Sequence, residues 1–320
     1  MPEPTTKSTD SLSIPAKLLY QLGFPITIGA LATISPPTAA YVPFVAAPTA
    51  YLLRQRARRT RTTRPGRLET LIWSFVGAST IGPLVNIIAQ GILSYGSALL
   101  IFGEQTADYV KEFTRPGRDV LLLPPEMVQK RAVMASSMKY WAYLCLFSFT
   151  LAGLPEEIMK YALLTMIRRQ QSDMKARDYT MYSTMIGLGY AFFENIAFIY
   201  ASSQDDSARM IAVTAAERVL YGTAAHVFTA VLTGTLMAQR DLNGDKLSWW
   251  QILGPSTIYH GAGNFFLSGA SASDGNVGWV HPQTGKQFLK YIALPLANLL
   301  VCALHVRANL EAIGVNSLFV

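Results

Sequence analysis

The chain has 320 residues, of which 51% are hydrophobic and only 15% charged, and its mean hydropathy is positive. Soluble domains of this size carry about 25% charged residues, so the composition excludes that class and predicts an all-α, polytopic transmembrane bundle of eight or nine helices. The formal net charge of +7 does not argue for nucleic acid, because seven arginines crowd between Arg54 and Arg67 with no acid among them. Between two apolar runs, such a block marks a cytoplasmic loop, with anionic lipid headgroups as its partner. The two cysteines, Cys145 and Cys302, both lie in apolar runs. They provide neither a disulfide framework nor a metal-binding pair.

Met1 to Leu12 is polar and has no basic cluster ahead of the first apolar run, which predicts an uncleaved first helix rather than a signal peptide. Spans are expected at 17–34 and 38–53, joined at Pro36-Pro37 as a hairpin, before the arginine block. The stretch 71–102 is apolar but contains Gly77, Gly82, Pro83, Gly91 and Gly96, which leaves one kinked helix or two short ones. Residues 103–138 are polar and mixed in charge, with Pro124-Pro125 in the middle, and read as an extramembrane connection with a short amphipathic helix. Further spans are expected at 140–167 with a kink at Pro155, at 179–201, 215–238, 249–269 and 291–306. In this scheme residues 1–16 form a polar cytoplasmic N-terminus, 17–306 one multi-pass domain with its catalytic helices at about 140–270, and 307–320 a C-terminal tail.

Charge interrupts the apolar pattern in the second half of the chain. Glu156, Glu157 and Lys160 lie within the run 140–167, although one ionised side chain at the centre of a membrane helix costs about 2.5–3.5 kcal/mol. At helical spacing Lys160 can pair with either acid, and the two acids point about 100° apart. That leaves a packing salt bridge and a proton-transferring carboxylate equally open, and the pattern does not rank Glu156 above Glu157 as a base. Glu194 precedes Asn195 in an apolar helix with no base within a turn. Desolvation of an unpaired acid there is expected to raise its pKa, whether it serves as general acid or base or only as a helix-to-helix hydrogen bond. His226 and His260 both fall in mid-span, with Asn264 on the face of His260, whereas His281 and His305 read as structural. Brought to one depth, these acids and imidazoles can activate a water and stabilise an oxyanion. The same groups also suit zinc, although H-E-x-x-H is absent.

In order and spacing these residues resemble the PrsW family of intramembrane proteases, relatives of the CAAX-processing and bacteriocin-immunity membrane proteases. The matching pieces are E-E-x-x-K at Glu156, Glu157 and Lys160, Glu-Asn at Glu194 and Asn195, His226 with Gly234, and H-x-x-x-N-F at His260, Asn264 and Phe265. One departure is Tyr190, where the family usually has Phe; it is expected to change packing and leave the chemistry alone. The resemblance implies an intramembrane endopeptidase acting on membrane-anchored protein substrates, with Glu156, Glu157, Glu194, His226 and His260 catalytic and Lys160, Asn195 and Asn264 supporting. Cofactors stay open between none and Zn2+, whose ligands would then be Glu194, His226 and His260. The competing readings are an enzyme acting on a lipid or small hydrophobic metabolite and a proton-coupled carrier, the latter disfavoured by the lack of an internal repeat.

Overall fold

A computed structural model describes residues 12–59, 66–171, 173–205 and 207–315. Residues 1–11, Arg61 and Arg64 of the arginine block, Asp206 and the last five residues lie outside this set. The described residues form helices and contain no strand. They are α1 (Ile14–Ile34), α2 (Pro36–Arg59), α3 (Gly66–Ser79), α4 (Ile81–Phe102), α5 (Thr106–Phe113), α6 (Gly117–Leu121) and α7 (Pro125–Ser136). Then come α8 (Met138–Leu146), α9 (Leu154–Gln170), α10 (Ala176–Asp205), α11 (Ala208–Glu217), α12 (Thr223–Ala238), α13 (Trp249–Ser273) and α14 (Gly285–Ala312). Five continuous helical stretches among the described residues are long and apolar enough to cross a membrane: Ile14–Ile34, Arg67–Phe113, Ala176–Gln204, Ala208–Asn243 and Gly285–Ala312.

The undecided stretch 71–102 resolves into α3 and α4, separated only at Thr80, so it behaves as one interrupted rod. The irregularity allowed for at Pro155 is a π-helical segment, Phe147–Gly153, which runs without a break into the turn of α9 that holds the proline. Two more π segments, Arg218–Gly222 and Gln239–Asn243, flank α12. Helix starts follow local chemistry. Ser13, Ser137, Ser207 and Ser248 cap α1, α8, α11 and α13, and Ser248 forms a reciprocal capping box with Gln251.

The chain divides into two compact units. The first comprises residues 1–83, 160–247 and 306–320. Its centre is α10, which packs on α12, α3 and α2. Small residues permit the close approach: a Cβ on Gly187 would stand 2.7 Å from the His226 carbonyl oxygen, and one on Gly234 would meet the Ser183 side chain. The Phe75 ring lies within 5.8 Å of Phe24 and 5.4 Å of Phe192. Polar contacts collect at the helix ends. Arg67 pairs with Asp178 at 2.8 Å and Arg168 with Asp241 at 2.9 Å, while at the α1–α2 turn Ser35 bonds Ser203 of α10 at 2.8 Å.

The second unit comprises residues 84–159 and 248–305, and here the π segment packs on α13. The polar connection is more ordered than a loop with one helix, since it folds into α5, α6 and α7. A buried arginine explains that order. Arg131 of α7 donates to the Glu112 carboxylate and, at 2.7 Å, to the Val277 carbonyl, while the Gly278 N–H donates to Tyr140 Oη at 2.7 Å. These bonds tie the 103–138 connection to the 274–280 turn, two segments expected from the sequence to lie at the same membrane face.

Candidate active site

Each unit contains a carboxylate–histidine constellation, and α9 runs through Glu156, Glu157 and Lys160 without interruption. In the second unit the π segment wedges against α13 because glycines face each other. A Cβ on Gly153 would be 2.9 Å from the Ser148 carbonyl and 3.3 Å from Gly261 N, and one on Gly261 would reach 2.8 Å from Phe149 Cα. That contact brings the first turn of α9 to mid-α13. Glu157, with no exposed surface, takes His260 Nδ1 at 2.7 Å. An ionised carboxylate only accepts, so Nδ1 carries the ring proton and Nε2 presents its lone pair. Nε2 then faces Glu156 Oε2 at 3.6 Å, and the other oxygen of Glu156 accepts a bond from Gln90 Nε2 at 3.1 Å. Asn264 is half-buried one turn beyond His260 on α13.

In the first unit the contact of Gly187 with the α12 backbone sets His226 against α10. Glu194 Oε2 lies 2.9 Å from His226 Nε2, and Lys160 Nζ lies 3.2 Å from Nδ1 of the same ring and donates to Thr229 Oγ1 at 3.2 Å. An ammonium only donates, so Nδ1 accepts and the ring N–H points to Glu194. The expectation of a Glu194 without a basic partner is overturned. Arg218, on the π segment, donates through Nη2 to Glu194 Oε2 at 2.6 Å and through Nε to Asn195 Oδ1 at 3.2 Å. Helical spacing could not reveal this pair, because the arginine belongs to another helix. Asn195 passes the order on by donating to Thr223 Oγ1 at 2.9 Å.

The nominated residues therefore fall into two sets, Glu156, Glu157, His260 and Asn264 in one unit and Lys160, Glu194, Asn195 and His226 in the other. Arg218 and Gln90 were missed. Arg218 lies at the start of the expected 215–238 span, where no motif marks it, and Gln90 sits in a half of the chain without recognisable motifs. Tyr190 was noted only for packing, yet its ring stacks on the His226 imidazole with centroids 6.3 Å apart and lies 5.4 Å beneath Lys160 Nζ.

His260 suits a metal ligand, because its Nε2 lone pair is not committed to a hydrogen bond with Glu157. In zinc sites the ligating imidazole usually gives its other N–H to a carboxylate, which fixes tautomer and orientation. Glu157 does this for His260, whereas the two nitrogens of His226 are taken by Glu194 and Lys160.

The sequence model of the PrsW family of intramembrane metalloproteases matches residues 123–282, half of the chain. No curated protein and no solved structure matches.

Proposed function

The chain belongs to the PrsW family of intramembrane metalloproteases and is an integral-membrane protease, and from that premise we propose that Glu156, Glu157, Glu194, His226 and His260 form its catalytic group. The observation that carries the proposal is the relay Glu157–His260–Glu156, in which one acid fixes the imidazole and the ring directs its lone pair at the second acid. Glu156 and Lys160 are one helical turn apart, about 6 Å along the axis, and Lys160 touches His226.

Glu156 Oε2 takes a proton from water as the water oxygen adds to the scissile carbonyl carbon. Asn264, one turn beyond His260 on α13, donates toward the oxyanion. The C–N bond then breaks as Glu156 returns its proton to the leaving nitrogen, giving a carboxylic acid and an amine. Arg218 holds Glu194, which holds His226, so the first-unit residues position the ring and transfer no proton. His260 Nε2 would offer a ligand to the metal that the family description names, with Glu156 beside it as the base; Glu194, a ligand expected from the sequence, stands behind His226. Bound zinc would acidify a water and polarise the scissile carbonyl. The substrates are membrane-anchored proteins, and the arginine-bearing helix ends at Arg54, Arg67, Arg168 and Arg240 face the cytoplasm.

The test is cleavage of a quenched membrane peptide by purified enzyme. Glu156→Gln should lower kcat/KM at least 10³-fold, and a chelator should abolish wild-type activity until zinc is restored. Undiminished cleavage by Glu156→Gln would remove the proposed base, and full activity in chelator would remove the metal.

A further inference from the structure

The second unit contains a cavity of about 380 Å³ between α4, α5 and the α8 end of the π segment. It falls within the range of pockets that hold small ligands, about 300–1,000 Å³. The lining is almost wholly apolar and aromatic, with Tyr109, Tyr143 and Phe147 on one side and Gly91 and Ser94 of α4 on the other. Gln90 ties it to the chemistry: it is part of the cavity wall, and it donates to Glu156 Oε1 at 3.1 Å and reaches the Ala152 carbonyl at 3.4 Å. Two further details describe the space. A Cβ built on Gly91 meets nothing within 4 Å, so the glycine leaves volume that no neighbour fills. The Ser94 hydroxyl is buried without a hydrogen-bond partner, a costly state for a polar group unless something with a donor or acceptor enters.

We infer that this cavity is the specificity pocket of the protease, and that it takes one large apolar side chain, aromatic or branched aliphatic, of the substrate residue beside the scissile peptide bond. The inference rests on the hydrolase assignment of Glu156. The water activated by a carboxylate one hydrogen bond from the pocket wall attacks the peptide whose neighbouring side chain fills the pocket, so occupancy sets the register of cleavage. Ser94 then has a partner in the substrate backbone. An apolar pocket discriminates weakly per methylene, about 10–200-fold, so the preference is for bulk and not for one residue type.

The experiment uses the full-length enzyme in lipid nanodiscs and a membrane peptide series with Ala, Leu, Phe or Trp on either side of the cleaved bond. Wild type should cleave the Leu and Phe peptides with kcat/KM about 10–200-fold above the Ala peptide at one of the two positions. Gly91→Phe, which fills the cavity from a position with open space, should erase that preference, bringing the Leu and Phe peptides down to the kcat/KM of the Ala peptide. Indifference of the wild type to side-chain size at both positions, or an unchanged preference in Gly91→Phe, would overturn the assignment. A second readout needs neither cleavage nor the variant. A peptide with benzoylphenylalanine at the preferred position should photocrosslink to residues 87–98 or 109–114, read by mass spectrometry. Crosslinks elsewhere, or a lipid photoprobe that labels those residues and is not displaced by peptide, would mean a lipid-filled cavity and end the proposal. Crosslinking at the pocket without hydrolysis of any peptide would instead support the pocket and count against the catalytic reading.

Discussion

At the scale of single residues, the two histidines are aimed by acids with separate jobs. Glu157 holds Nδ1 of His260, whereas Glu156 faces Nε2 of the same ring and is the proposed base. Glu157→Gln should therefore weaken metal affinity about 10–100-fold, the usual cost of losing a carboxylate behind a ligating histidine, with activity recovering in excess zinc. Glu156→Gln should not recover, and zinc titrations of the two variants separate the roles. Arg218 is the positioning residue that only the structure identifies, since its guanidinium bridges Glu194 and Asn195. Arg218→Gln should lower kcat about 10-fold or more and alter the pH profile, because Glu194 loses its charged partner. Arg218→Lys should restore the charge but not both hydrogen bonds, giving an intermediate rate. Equal rates in all three proteins would assign Arg218 to packing alone.

At the scale of helices, glycines decide where the polar groups meet. The Cβ of Gly187→Ala would stand 2.7 Å from the His226 carbonyl and 2.8 Å from Val227 Cα, both backbone atoms that cannot swing aside. Gly261→Ala would press on Phe149 in the same way, with its Cβ 2.8 Å from Phe149 Cα. Each substitution should cost about 1–3 kcal/mol, the range for overpacking, and lower Tm in detergent. Gly91→Ala, with open space around it, should leave Tm unchanged or raise it. A Gly187→Ala protein with native Tm and native kcat would mean that α10 and α12 tolerate more separation than the geometry allows. The π segments belong to the same argument. The extra residue in Phe147–Gly153 changes the facing of the helix just before Glu156, and Arg218–Gly222 does so just before His226.

For the whole molecule, the polar contacts within each unit agree with an alternating passage of the chain. Arg67 with Asp178 and Arg168 with Asp241 share one set of helix ends, and Ser35 with Ser203 share the other. In the second unit Arg131 reaches Val277 from a connection that alternation places on the same face. Reporter domains inserted at residues 60–65 and after residue 243 should be active as cytoplasmic fusions, and insertions near residue 206 or residue 276 should report the opposite compartment. Opposite compartments for the 60–65 and 243 insertions would break the alternation. The low exposure of Arg131, about 1%, makes Arg131→Met a second test of that face. It would leave Glu112 with only Arg115 as a charged partner and should destabilise the protein by about 3–5 kcal/mol.

The amino-acid sequence by itself determined that the protein is a helical membrane bundle, because length and apolarity of the runs are local properties that no packing can reverse. It also marked Glu156, Glu157, Lys160, Glu194, His226 and His260, because the cost of burying charge singles out any ionisable group in an apolar run. Tertiary structure decided their pairing: which acid stands behind which imidazole, that Glu194 has Arg218 for company, and that Gln90 joins Glu156 to a cavity. Those facts depend on contacts between helices far apart in the chain, set by the close approach of Gly153, Gly187 and Gly261 to neighbouring backbone and by a π turn that rotates one helix face relative to the next. Helical periodicity relates residues three or four apart and has no term for those distances.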